Sequence, residues 1–254
     1  MSKKILNKLP EITLLFWIMK ICATTLGETA GDLLSMTLNV GYAISSLILI
    51  SVFFATLFTQ LSSKKYNPLL YWMVILSTST AGTTISDFMD RTLHFGYAKG
   101  SLVLISLLSV TLLAWYMSEK SLSVTSITTR KGEVFYWIAI LFSNTLGTAF
   151  GDFLADSSGL GFGGGALLVS SAILLIILAK YYTKISPILL FWFAFILTRP
   201  LGATVGDLLT KVPAKGGLGF GTIGSSVVLL TILCGLIIYT IKYHKEPKKL
   251  LILD

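Results

Sequence analysis

Four tryptophans, Trp17, Trp72, Trp137 and Trp192, each open the same downstream pattern. Ten residues on stands a glycine: Gly27, Gly82, Gly147, Gly202. Fourteen on stands a small residue (Gly31, Ser86, Gly151, Gly206), and fifteen on an aspartate (Asp32, Asp87, Asp152, Asp207). Farther along comes a glycine followed by an aromatic: Gly41-Tyr42, Gly96-Tyr97, Gly161-Phe162 and Gly219-Phe220, the last after a short insertion around Pro213–Gly216. Such recurrence marks a tandem array, in which each unit folds alike and packs on its neighbours. The units run 10–65, 66–130, 131–184 and 185–243, followed by a tail at 244–254, all within a single domain covering 1–254.

Each unit holds two apolar stretches. Ala43–Leu61, Gly100–Ser118, Ser157–Ala179 and Gly216–Ile241 are nearly free of charge. Ile12–Leu38, Tyr66–Ser86, Val134–Gly151 and Ile185–Gly206 are apolar but more polar toward one end. A membrane-crossing helix needs about 20 apolar residues. The chain is 54% hydrophobic and only 13% charged, against about 25% charged in soluble domains. The expected fold is therefore all-α and integral to a membrane, with eight transmembrane helices in four parallel two-helix repeats.

The net charge of +8 does not point to nucleic acid. With eight spans, fourteen basic residues fall on the side of the termini: Lys3, Lys4, Lys8, Lys64, Lys65, Lys120, Arg130, Lys131, Lys180, Lys184, Lys242, Lys245, Lys248 and Lys249. Four, Arg91, Lys99, Lys211 and Lys215, fall on the other side, in loops. The positive-inside rule then puts both termini in the cytoplasm. Lys3, Lys4 and Lys8 before an apolar stretch resemble a signal peptide, but the segment aligns with three later ones and is expected to be the first span. Cys22 and Cys234 lie in apolar stretches and suggest no disulfide. His94 and His244 are too few for a histidine-rich metal centre.

This pattern resembles a bacterial membrane-protein family built from four tandem "repeat of unknown function" units, each with two transmembrane segments and a tryptophan. The resemblance spans about Pro10 to Tyr243 and implies the fold and a bacterial inner-membrane location. It supplies no substrate.

Positions ten and fourteen after each tryptophan form a small-xxx-small seam for close helix packing, with Gly27, Gly31, Gly82, Gly147, Gly151, Gly202 and Gly206 in it. Positions eight, eleven and fifteen share the neighbouring helix face. That face reads Thr25, Glu28, Asp32, then Thr80, Thr83, Asp87, then Thr145, Thr148, Asp152, and in the last unit Pro200, Ala203, Asp207. Ionisable groups inside spans are costly and mark functional pathways by default. Glu28 and the four aspartates outnumber Lys20 and Arg199 by three, a surplus that favours a cation or carboxylate protonation. Glu28 pairs with Lys20 or Arg199, or handles ions or protons. An aspartate at a helix C-terminus opposes the macrodipole. Either the odd helices run on past it, or they break at the Gly-xxx-[Gly/Ser]-Asp motif, a transporter device. Pro200 favours a kink or break in the last unit.

Carboxylates, hydroxyls and carbonyls suit hard cations. Glu28-Thr-Ala-Gly31-Asp32 also resembles the Glu-x-Gly-Asp signature of manganese/calcium–proton exchangers, with one extra residue and without the basic and hydroxyl residues that follow it there. The leading expectation is a transporter for a hard cation such as manganese, coupled to protons through Glu28 or Asp32. Alternatives are a carrier of small organic cations contacting Tyr42, Tyr97, Phe162 and Phe220, or a non-transporting assembly protein. No enzyme activity, cofactor or nucleic-acid partner is expected; the partners are the bilayer and the cation. The tracts Gly159–Gly165 and Gly216–Gly221 lack the preceding strand of a phosphate loop and are expected to pack helices or form turns. The four tryptophans, and Trp115 from the opposite direction, are expected to anchor in the interfacial belt.

Overall fold

A computed structural model of the chain describes residues 8–127 and 129–243. Lys3, Lys4, His244, Lys245, Lys248, Lys249 and the 244–254 tail lie outside the described residues. Eight α-helices fill the described chain: α1 Leu14–Asp32, α2 Tyr42–Ser62, α3 Pro68–Asp87, α4 Tyr97–Glu119, α5 Arg130–Asp152, α6 Gly161–Tyr182, α7 Pro187–Thr210 and α8 Gly221–Tyr243. No strand occurs among the described residues. Three of the odd helices start where a side chain satisfies a free N–H, and α7 starts on Pro187, which has no N–H to satisfy. Thr13 accepts from the Phe16 amide, Asn67 from Leu70 ahead of Pro68, and Thr129 from Gly132.

Six helical segments, α2, α4, α5 with its extension to Ser157, α6, α7 and α8, are long and apolar enough to cross a membrane. α1 and α3 fall short because Lys20, Glu28 and Asp32, and the run Ser77-Thr-Ser-Thr80, dilute their apolar content. Their surroundings explain how they tolerate it. α1, α3, α5 and α7 pack in a closed ring, each touching the next and α7 returning to α1. Each even helix leaves its own repeat and packs on the next odd helix: α2 on α3, α4 on α5, α6 on α7, α8 on α1. Repeats are thereby interleaved, with a pseudo-fourfold axis through the inner ring. The outer helices present Leu47, Phe54, Phe58, Leu102, Leu167 and Leu175 outward, an apolar girdle suited to lipid.

The small-residue seam closes this ring in cyclic order. Gly27 sits against Ser79, Gly82 against Asn144 and Thr145, Gly147 against Arg199, and Gly202 against Thr24. Position ten of each repeat thus meets position seven of the next. One turn on, Gly31 meets Thr83, Gly151 meets Ala203 and Gly206 meets Glu28.

The odd helices do not break at the motif, which corrects that alternative. α1, α3 and α5 run through Asp32, Asp87 and Asp152 directly into one π-helical turn each: Leu33–Thr37, Phe88–Thr92 and Phe153–Ser157. The widened turn lets the helix continue past the aspartate. α7 stays helical with Pro200 inside it, so the expected break there is absent. Beyond the π-turns the chain reverses through Gly41 (φ +80°) and Gly96 (φ +72°), a conformation that only glycine adopts without strain. The tract 159–165 begins α6, with Gly165 against Thr204, and the tract 216–221 forms the turn into α8; neither follows a strand.

The tryptophans correct the belt expectation. Trp72, Trp115, Trp137 and Trp192 are buried and Trp17 is half-buried. They interlock edge-on with Phe16, Tyr71, Tyr136, Phe191 and Phe195, closing the bundle at the end where the odd helices begin. Trp192 donates to the Leu122 carbonyl (3.0 Å) in the linker between repeats. Tyr71 and Tyr136 share a buried hydroxyl–hydroxyl bond of 2.7 Å. Tyr71→Phe alone is expected to lower the melting temperature of the purified protein, costing about 1–3 kcal/mol, because the Tyr136 hydroxyl loses its partner. Tyr71→Phe with Tyr136→Phe should sit near wild type; equal losses in both would show that the bond contributes nothing.

Candidate functional site

Inside the ring, polar side chains replace the apolar core in three layers. Nearest the aromatic plug lies Lys20, fully buried, its ammonium 3.4 Å from Asn144 Oδ1 and 4.2 Å above the Phe195 ring. Asn144 Nδ2 donates in turn to Thr78 Oγ1 (2.9 Å).

The middle layer holds an ion pair. Arg199 donates from both terminal nitrogens to Glu28 Oε2, each at 3.0 Å. One of those nitrogens also donates to Thr83 Oγ1 (2.5 Å) and Thr148 Oγ1 (2.6 Å). Both hydroxyls also lie 3.3 Å from Glu28 Oε2. Four helices therefore converge on one carboxylate oxygen. Arg199 is 0% exposed and Glu28 3%, so the pair has no water to fall back on. The seam makes the space: Gly147 clears the stem of Arg199, and Gly206 lies 2.9 Å from Glu28 Cβ at its own would-be Cβ.

The third layer carries the aspartate tetrad, buried rather than turned to bulk solvent. It divides into two dyads, each bridged by a base. Arg91 Nε lies 3.0 Å from Asp87 Oδ1 and its Nη2 3.0 Å from Asp152 Oδ2. Lys211 Nζ lies 2.6 Å from Asp32 Oδ2 and 3.0 Å from Asp207 Oδ1. Each base stands four residues after its own aspartate and reaches the aspartate of the next repeat. Glu28, Asp32 and Asp207 each offer a carboxylate oxygen within 4.8 Å of the other two, a separation at which three ligands can share one cation. All three are buried.

Pairing corrects the charge expectation. Arg91 and Lys211 are not remote loop charges; with them counted, five carboxylates face four bases, leaving a formal balance of −1 rather than −3. Of the two proposed partners for Glu28, Arg199 holds it and Lys20 does not. The aromatics also separate. Tyr42 and Tyr97 flank Arg91, at 5.9 and 5.8 Å, while Phe162 is buried elsewhere and Phe220 is exposed.

Comparison with known proteins adds the remaining fact. The model of a family described as "Repeat of Unknown Function (DUF347)" matches four times, at residues 15–66, 70–121, 135–186 and 190–246. The chain belongs to this family. No curated protein and no solved structure matches. The four DUF347 units each contribute one inner and one outer helix to the interleaved bundle.

Of the expected hydroxyls in this DUF347 chain, Thr83 and Thr148 reach the ion pair. Thr25, Thr80 and Thr145 instead bond to their own helix carbonyls at Ile21, Leu76 and Leu141. Position eleven thus faces the axis and position eight does not. Sequence reasoning missed Asn144, Thr78, Arg91 and Lys211. The last two had a signal: a base nineteen residues after the tryptophan in repeats two and four, one turn past the aspartate.

Proposed function

We propose that this protein spans a bacterial inner membrane eight times, with both termini cytoplasmic, and carries a small hard cation along the axis of its inner ring. α1 and α3 share the ring with α5 and α7, which are long and apolar enough to cross. The side bearing the described residues Lys8, Lys64, Lys65, Lys120, Arg130, Lys131, Lys180, Lys184 and Lys242 is the basic one. The observation that carries the reading is the convergence of Glu28, Asp32 and Asp207 on one buried point at the α1–α7 contact. Three oxygen donors where water is scarce suit a divalent ion such as manganese. Arg199 fixes Glu28 in place, and Thr83 and Thr148 complete its setting.

The test is flux of Mn²⁺ into liposomes carrying the purified protein. Uptake should exceed that of protein-free liposomes, and Asp32→Asn or Asp207→Asn should lower it by about tenfold or more, as expected when a ligand made only by the charged group is removed. Absence of flux for Mn²⁺, Mg²⁺, Ca²⁺ and Na⁺ would overturn the reading. Flux of choline with none of these ions would reassign the axis to organic cations.

A further inference from the structure

The two aspartate dyads are related by the repeat, yet the bases that bridge them differ in chemistry and in what else holds them. Lys211 lies just past the end of α7, its side chain 19% exposed against 30% for Arg91, and carries a compact charge on a flexible stem. Arg91 lies within the π-helical turn after α3. Its Nη2 donates to Asp152 Oδ2 (3.0 Å), its Nε lies 3.0 Å from Asp87 Oδ1 off the bonding direction, its Nη1 donates to Tyr42 Oη (3.4 Å), and the group lies near the rings of Tyr42 and Tyr97. A planar fork with that many simultaneous partners is held in one geometry.

The carboxylates differ too. Beside Lys211 stands the third acid, Glu28; among the described residues no third acid joins the Arg91 dyad in a possible ligand group. Every hydrogen bond to Glu28 among the described residues lands on Oε2, so Oε1 has none. Asp207 Oδ1 lies 3.0 Å from the Lys211 ammonium but off its bonding direction, so this buried oxygen has no hydrogen bond. Buried oxygens with unused lone pairs are uncommon in native proteins and call for an explanation. One of them, Asp207 Oδ1, belongs to an acid that gathers with Glu28 and Asp32 at one point, whereas its counterpart in the Arg91 dyad, Asp87 Oδ2, has no third acid beside it among the described residues.

We propose that Lys211 is a tethered stand-in for the transported cation, holding Asp32 and Asp207 until an incoming divalent ion displaces its ammonium, and that Arg91 is a fixed brace that is not displaced. This rests on the transport reading above. Displacement exchanges one charge for two at the three carboxylates, and the flexible lysine stem, rooted just past the last turn of α7, swings aside without unwinding it. The tether excludes weak binders, because an ion must outcompete an ammonium already seated 2.6 Å from Asp32. It also prevents the emptied site from leaving two buried carboxylates uncompensated.

The experiment is equilibrium dialysis of Mn²⁺ against the full chain in detergent. Lys211→Met should bind Mn²⁺ about tenfold more tightly than wild type, since a competing ligand has been deleted and such coupling free energies typically reach that size. Arg91→Met should bind no more tightly than wild type. A Lys211→Cys variant in a Cys234→Ala background guards against misfolding. Treated with 2-aminoethyl methanethiosulfonate, which ties an ammonium to the thiol through a disulfide and releases sulfinate, it should return to wild-type affinity. The uncharged methyl reagent should leave it tight. Wild-type binding that is indifferent to residue 211 and to the amine label, or equal tightening in Arg91→Met, would overturn this inference alone. No Mn²⁺ binding by wild type or any variant would overturn it together with the transport reading.

Discussion

Arg199→Met is expected to deplete folded protein, lowering stability by about 3–5 kcal/mol, the range for removing one partner of a buried ion pair. Glu28 would then keep only the hydroxyls of Thr83 and Thr148 for a charge that is 3% exposed. Glu28→Met should cost a similar amount, because it strands a guanidinium that is 0% exposed among neutral groups. The double variant Glu28→Met with Arg199→Met should recover most of the loss, since two apolar side chains of similar volume restore packing without any desolvated charge. A double-mutant cycle on melting temperature in detergent isolates the coupling. Simple additivity of the two losses would mean that the pair does not hold the ring together. The double variant also separates fold from function: it should be stable and yet bind Mn²⁺ weakly, having lost one of three carboxylates.

Much of this architecture could be read from spacing. The Trp-to-Asp interval, the small residues at positions ten and fourteen, and the equal depth of the aspartates all follow from a helical repeat of two-helix units. What spacing could not give was the rotation of each helix about its own axis. Positions eight and eleven share one broad face in sequence, yet Thr80 bonds back to Leu76 and Ser77 while Thr83 reaches Glu28 on another helix. The charge balance failed for a related reason. Arg91 and Lys211 fall after the motif, where a polar loop is the natural expectation. Only the π-helical turn after Asp87 and the extra helical turn of α7 after Asp207 bring them back over the axis. The tryptophans misled through their chemistry. An indole near the end of an apolar stretch suits an interface, but a closed ring of four helices needs bulk at one end, and Trp72 and Trp137 supply it. Interleaving, with each outer helix on the next repeat's inner helix, leaves no mark in a single repeat at all.

Gly202→Ala should be the most disruptive single-methyl change in the seam of the inner ring. A Cβ there would lie 2.6 Å from Thr24 Oγ1 and 2.7 Å from the Thr24 backbone carbon, and backbone cannot rotate away as a side chain can. Gly147→Ala meets the Cβ and Cγ of Arg199, so the added methyl also pushes the guanidinium off Glu28. Overpacking of this kind costs about 1–3 kcal/mol at a single contact and more where backbone must move. The closed ring raises the stakes: α7 touches both α5 and α1, so separating it from α1 strains its seam with α5. The comparison is internal. Gly163, Gly224 and Gly235 would place a Cβ in open space on the outer helices α6 and α8. Alanine at those three positions should be neutral or stabilising by up to about 1 kcal/mol, because it gains helix propensity and meets nothing. Melting temperatures in detergent for the five variants should therefore fall into two groups. If Gly202→Ala melted with Gly224→Ala, the helices would not be held at glycine distance, and the axis on which the carboxylates converge would be wider than its seam requires.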